Sequence, residues 1–129
     1  MALVGNRVGF LCNGICVADR TTFTHSAGTG FFIGGEASGT VTRSSLVRNA
    51  VGASVLFGWS LSIERSVSLR NKVGVLDGGS AVPISKSLFV KNQTAIRVDT
   101  EPDAAACVDL HEVVFAKNGV KVDGPVCAS

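Results

Sequence analysis

Short apolar segments with a two-residue period run along the whole chain, separated by small and polar residues, and they recur at a near-constant interval. Aligned on Asn49, Asn71, Asn92 and Asn118, the preceding residues read VTRSSLVRN from Val41, IERSVSLRN from Ile63, ISKSLFVKN from Ile84 and LHEVVFAKN from Leu110. The anchors are 22, 21 and 26 residues apart, and degenerate copies centre on Ser26 and Asn6. A second pattern follows each anchor: NAVGASV from Asn49, NKVGVLD from Asn71, NQTAIRV from Asn92, NGVKV from Asn118 and NRVGF from Asn6. Apolar alternation at period two describes strands, whereas helical solenoids need units of about 33 residues or more. The leucine-rich spacing Leu-x-x-Leu-x-Leu is absent. Three strands of three to five residues plus turns fill each unit. The predicted fold is all-β, a right-handed parallel β-helix of about six coils of roughly 22 residues. It is a single domain, 1–129, and the early start of the repetition favours a segment of a longer solenoid, with a natural short chain as the other reading. The longest interval contains 100–106, which reads as a loop.

The anchor asparagines have a physical rationale. A sharp corner needs one residue in the left-handed region, and Asn tolerates it better than most non-glycine residues. Stacked coils would place Asn49, Asn71, Asn92 and Asn118 about 4.8 Å apart, close enough for their amides to bond along the stack as a ladder. Ser44, Ser66 and Ser87 recur five positions earlier and form a second small series.

The pattern Ile/Val-x-x-Ser-x-x-x-x-Asn-x-x-Gly-Val-x-Val resembles the right-handed β-helix repeats of the pectate-lyase-like superfamily, over nearly the whole chain. The resemblance implies a fold shared by polysaccharide lyases, polygalacturonases, uronan epimerases and phage tailspikes. It carries over no catalytic residue: the Asn-Thr-Asp, Asp-Asp, Gly-His-Gly and Arg-Ile-Lys segments of polygalacturonases are missing, as is Asp-Pro-His-Asp. The expectation leans away from an enzyme.

Composition adjusts this picture. The chain is 46% hydrophobic, with 15 Gly, seven Phe, one Trp and no Tyr, which suits a narrow core of Val, Ile and Leu. A net charge of +2 does not predict nucleic-acid binding. No apolar run is long enough to span a membrane. The N-terminal residues lack a charged region followed by an apolar one, which leaves a cytosolic chain or one whose signal was removed.

The candidate chemistry lies in columns. Asp77, Asp99 and Asp123 fall six, seven and five residues after their anchors. If stacked, their carboxylates would serve Ca²⁺ or acid–base work; the other reading is strand-ending turn residues, with no cofactor. Arg20, Arg43, Arg65 and Lys86 sit six before their anchors, and His25, Arg48, Arg70, Lys91 and Lys117 sit one before. Eight of the twelve Lys and Arg thus occupy two columns, either a grip for an acidic glycan or a solvated face. Phe23, Leu46, Ser68, Phe89 and Phe115 lie three before their anchors. Pointing outward, they would form an apolar surface for sugar rings or a second subunit; a local bulge would turn them inward. Arg43, Arg65, Lys86, Arg48, Arg70, Lys91 and Phe89 are therefore the candidate ligand-binding set. The open solenoid ends are a further route to a homo-oligomer.

Cys107 and Cys127 are separated by close to one coil, which leaves two readings: a bridge across neighbouring coils, with Cys12 and Cys16 pairing locally, or four small buried core thiols. Bridged cysteines favour an extracellular or periplasmic location. Their spacing matches no standard zinc pattern. His25 and His111 read as surface or turn residues, and Trp59 as a corner residue. Asn92-Gln-Thr94 has glycosylation spacing, yet a glycan on Asn92 would break the stack. Gly28 to Gly34 lacks the signature of a nucleotide loop.

Overall fold

The computed structural model describes residues 2–5, 7–34, 37–56, 60–99 and 107–127. Asn6, Trp59 and the insertion 100–106 lie outside the described residues. The chain is a parallel β-solenoid with three short strands per coil. The first sheet contains β1 (Ala2–Val4), β4 (Thr22–Thr24), β7 (Ser45–Val47), β10 (Val67–Leu69), β13 (Leu88–Val90) and β16 (Val114–Ala116). The second contains β2 (Val8–Cys12), β5 (Thr29–Ile33), β8 (Val51–Leu56), β11 (Val73–Gly78), β14 (Thr94–Val98) and β17 (Val120–Asp123). The third contains β3 (Ile15–Asp19), β6 (Ser38–Thr42), β9 (Ser60–Glu64), β12 (Ala81–Ser85) and β15 (Cys107–His111). Five coils thus carry three strands. The sixth carries two and is closed by a parallel pairing of Val126 with Val108.

Register follows the repeat. Ser68 pairs with Leu46 on one side and Phe89 on the other, and Phe89 pairs with Phe115. Stacking identical positions lets each strand's backbone groups bond to the coils on either side, so no interior strand has a free edge.

Two corners bound each of β4, β7, β10, β13 and β16, and both use one device. The residue with positive φ is the one before the anchor position: His25, Arg48, Arg70, Lys91 and Lys117 have φ of 54–59°, and Arg20, Arg43, Arg65, Lys86 and Glu112 have φ of 47–55°, with Glu112, before Val113, departing from the basic-then-polar pattern. This corrects the expectation that Asn holds the left-handed conformation. Asn has a different task. After the left-handed bend the next N–H is taken by a side chain from the following coil instead of a backbone carbonyl. Asn71 Oδ1 accepts from Asn49 N–H at 2.8 Å, Asn92 Oδ1 from Asn71 N–H at 2.9 Å, and Asn118 Oδ1 from Asn92 N–H at 3.0 Å. The Nδ2 of each of Asn49, Asn71 and Asn92 donates to the Oδ1 of the next anchor, at 3.2, 3.1 and 3.0 Å. It also donates to the preceding coil, as Asn71 Nδ2 does to Leu46 O at 2.9 Å. At the first corner Ser44, Ser66 and Ser87 play the same part. Ser66 Oγ accepts from Ser44 N–H at 3.2 Å and donates to Glu64 O at 3.0 Å.

Left-handed residues on both sides leave a three-residue strand whose middle side chain alone points in. Phe23, Leu46, Ser68 and Phe89 are buried, and Phe115 stacks on Phe89 with ring centroids 5.5 Å apart. The outward Phe column, and Phe89 as a ligand contact, are therefore overturned. Opposite this column lie Gly9, Gly30, Gly52 and Gly74. A Cβ on Gly52 would meet Gly74 O at 2.4 Å and Leu46 Cβ at 3.2 Å, so the second sheet packs there as only glycine allows. Phe31, Ile33, Val41, Val55, Leu61, Ile63, Val75, Val82, Ile84 and Ile96 fill the rest of the narrow core.

Candidate functional site

The two basic columns differ in their surroundings. Beside the first, Asp19 receives Arg43 through two bonds, Nε at 2.9 Å and Nη2 at 2.7 Å, and Thr42 Oγ1 at 2.8 Å. The Arg43 guanidinium, then the Thr42 hydroxyl, hold the Asp19 carboxyl below the ordinary carboxylate range. Arg65 lies 3.5 Å from Glu64, and Glu112 takes the sixth-coil place in this column. A groove of about 320 Å³ here is walled by both signs: Arg43, Arg65 and Glu64.

The second column has no such neutralisation. Among the described residues Arg48, Arg70, Lys91 and Lys117 make no ion pair, and all four side chains are exposed. Identical positions on successive coils place these charges about 4.8 Å apart. Lys72 adds a cation beside them. Arg48, Arg70, Lys72 and Gln93 wall an open groove of about 420 Å³ over the Asn49 corner. Immediately inside the column, on the outer face of the first sheet, stand Val47, Leu69 and Val90, each half-buried. These three lie on the sheet side of the column, beside the groove, whose remaining lining is Ser26, Ala27, Asn49 and Ala50. Sequence reasoning found the cations of the column and missed Lys72, Gln93 and the apolar strip beside them. The strip was concealed because the orientation of the three-residue strand depends on its two left-handed flanks.

Both columns carry a backbone cost, but only this one shows the glycine alternative among the described residues. A left-handed L-residue costs roughly 1–2 kcal/mol, and glycine escapes this penalty. The first coil shows that solution: Gly5, with φ of 70°, occupies the same corner, its N–H bonding Thr24 O at 3.0 Å. The other five coils carry His, Arg, Arg, Lys and Lys there.

The acidic column does not form. Asp77 pairs across with Val98, and Asp123 with Arg97, so Asp99 lies one position later and Asp123 one earlier. A one-residue offset turns a side chain to the opposite face. Asp77 is fully buried, in the core column of Ile33, Val55 and Val98, whereas Asp99 and Asp123 are exposed. Asp123 faces Arg97 at 3.6 Å. Among the described residues no three acidic, His or Cys side chains gather as a metal site, so the Ca²⁺ reading loses its donors. Asp77 Oδ1 accepts Gly79 N–H at 3.0 Å and Ser80 N–H at 2.7 Å, closing a tight turn, while Oδ2 has no partner. Burial pushes its pKa up, opposed by those two N–H groups.

Cys12–Cys16 and Cys107–Cys127 are disulfides, with Cα separations of 6.0 and 5.0 Å. The first fastens the corner between β2 and β3; the second ties the fifth coil to the sixth. His25 Nδ1 lies 2.7 Å from Thr24 Oγ1, and His111 lies 3.2 Å from Asp109. No helix among the described residues is long and apolar enough to cross a membrane.

These features define a class, a disulfide-pinned parallel β-solenoid with one unneutralised cationic corner. No family model, curated protein or solved structure matches the chain.

Proposed function

We propose that this chain is a non-catalytic solenoid module that holds an acidic polysaccharide along the Arg48–Arg70–Lys91–Lys117 column, in an adhesive or structural role within an oxidising compartment. One observation carries the reading. Basic side chains are kept at five strained corners where the first coil uses Gly5. Residues held in costly backbone conformations cluster where their side chains have a use, and here Arg48, Arg70, Lys91 and Lys117 are exposed cations.

The ligand's chemistry follows from the groove. A row of like charges favours a linear polyanion bearing about one charge per coil rise. Arg48 and Arg70 suit carboxylates, which they bind through two parallel bonds. Beside the column, the half-buried Val47, Leu69 and Val90 offer an apolar strip for the C–H face of a sugar ring. Nucleic acid fits less well, because the phenylalanines of the first sheet face inward and offer bases no stacking platform. The resemblance to pectate-lyase-like repeats agrees with a polyuronate.

The test is binding to polygalacturonate at low salt, with its fully methyl-esterified form as an uncharged control. Arg48→Asn/Arg70→Asn/Lys91→Asn keeps residues that tolerate the corner. It should lose at least tenfold in affinity while melting no lower than the parent. Wild-type binding should also weaken as salt rises. No wild-type binding, or equal binding to the esterified polymer, would refute the reading.

A further inference from the structure

The nine exposed large hydrophobic residues among those described all lie in the first or last coil: Val4, Val8, Phe10, Leu11, Ile15 and Val17 at one end, Val114, Val120 and Val126 at the other. The four interior coils contribute none. Edge strands β1, β2 and β3 at one end, and β16 and β17 at the other, have one side of their backbone unpaired with any strand. The last sheet is completed at that second end by Val126 beside Val108.

We infer that the sixth coil of one copy docks on the first coil of a second copy, head to tail, so that the three sheets continue across the seam. Position carries the argument. Pairing from strand to strand puts Leu3 and Phe115 at opposite ends of one inward column, through Phe23, Leu46, Ser68 and Phe89. Phe10 and Val122 end another, through Phe31, Ala53, Val75 and Ile96. Val8 and Val120, 41% and 46% exposed, end a third. Continuing the register sets Leu3 over Phe115, Phe10 over Val122 and Val8 over Val120, burying apolar side chains on apolar side chains.

Charge agrees. The corner facing Lys117 across the seam would be Gly5, so no second cation meets Lys117 where two copies join. A parallel edge also requires a parallel partner of matching width, and the opposite end of this chain supplies it. An end-to-end pair of identical faces would instead run the strands antiparallel. Because a head-to-tail contact need not close, assembly is open-ended and grows with concentration.

The test is analytical ultracentrifugation of the whole, oxidised chain from low to high micromolar. The wild type should sediment progressively faster. Val8→Lys blocks one end and Val120→Lys the other; each alone should be monomeric, and their mixture should form dimers that grow no further. Val8→Glu is a second block for the first end should Val8→Lys fail to fold. A wild type that stays monomeric throughout overturns the inference. So does a dimer that Val120→Lys alone leaves intact, since that would mean pairing through the first coil only.

Discussion

At the residue scale, Asp77 shows how one group sets a pH dependence. Its pKa is raised in the folded chain by burial, so between the ordinary carboxylate range and the raised value the folded chain retains a proton that the unfolded chain releases. The unfolded chain then binds fewer protons, and stability falls as pH rises through that window. Asp77→Asn preserves the acceptor for Gly79 and Ser80 while removing the charge. It should melt higher than the parent at neutral pH and show no advantage below the ordinary Asp pKa, as read by thermal unfolding across pH. Asp19 works in the opposite sense: its depressed pKa adds stability that fades as pH falls through the depressed value. Asn71 gives a larger effect. Asn71→Ala would strip the acceptor from the buried Asn49 N–H and the donor from Leu46 O, and should cost about 2–4 kcal/mol in urea unfolding. Phe89→Ala should cost about 3–5 kcal/mol by leaving a cavity, yet leave polyuronate affinity unchanged because the ring faces the core.

At the scale of the element, the corner is the unit that sequence made partly legible. The columns of Asn, Ser and basic residues were readable because the register is constant, and identical offsets from the anchor become neighbours in space. The conformation of the corner was not, because tolerance for the left-handed region named Asn, while the N–H left over after the bend required the Asn side chain to face inward. Gly5 before Asn6 contained the missing signal, since glycine precedes the anchor where the other coils have a basic residue. The aspartates were misjudged for the converse reason. Offsets of six, seven and five are unequal, and in a strand a difference of one changes face. The same corner predicts a substitution contrast. Arg70→Val, β-branched at φ of 55°, should destabilise by about 1–3 kcal/mol, whereas Arg70→Asn should be neutral or mildly stabilising. Differential scanning calorimetry of the two variants measures it.

For the whole molecule, each disulfide reinforces an end coil, which has a neighbour on one side only. Reduction should therefore loosen the ends before the middle. Hydrogen exchange of the reduced chain should rise first in β2, β3 and the 125–127 segment, while β7, β10 and β13 stay protected. Uniform acceleration would show instead that the coils unfold as one unit.

Because each coil touches only the coils beside it, the chain is also a measuring rod. Duplicating residues 44–65 between Arg65 and Ser66 would insert one more turn whose ends meet partners they already have. The rod would lengthen by one strand spacing and gain one graduation, a second Arg48, in its cationic scale. The shortest anionic chain able to saturate it should lengthen in step.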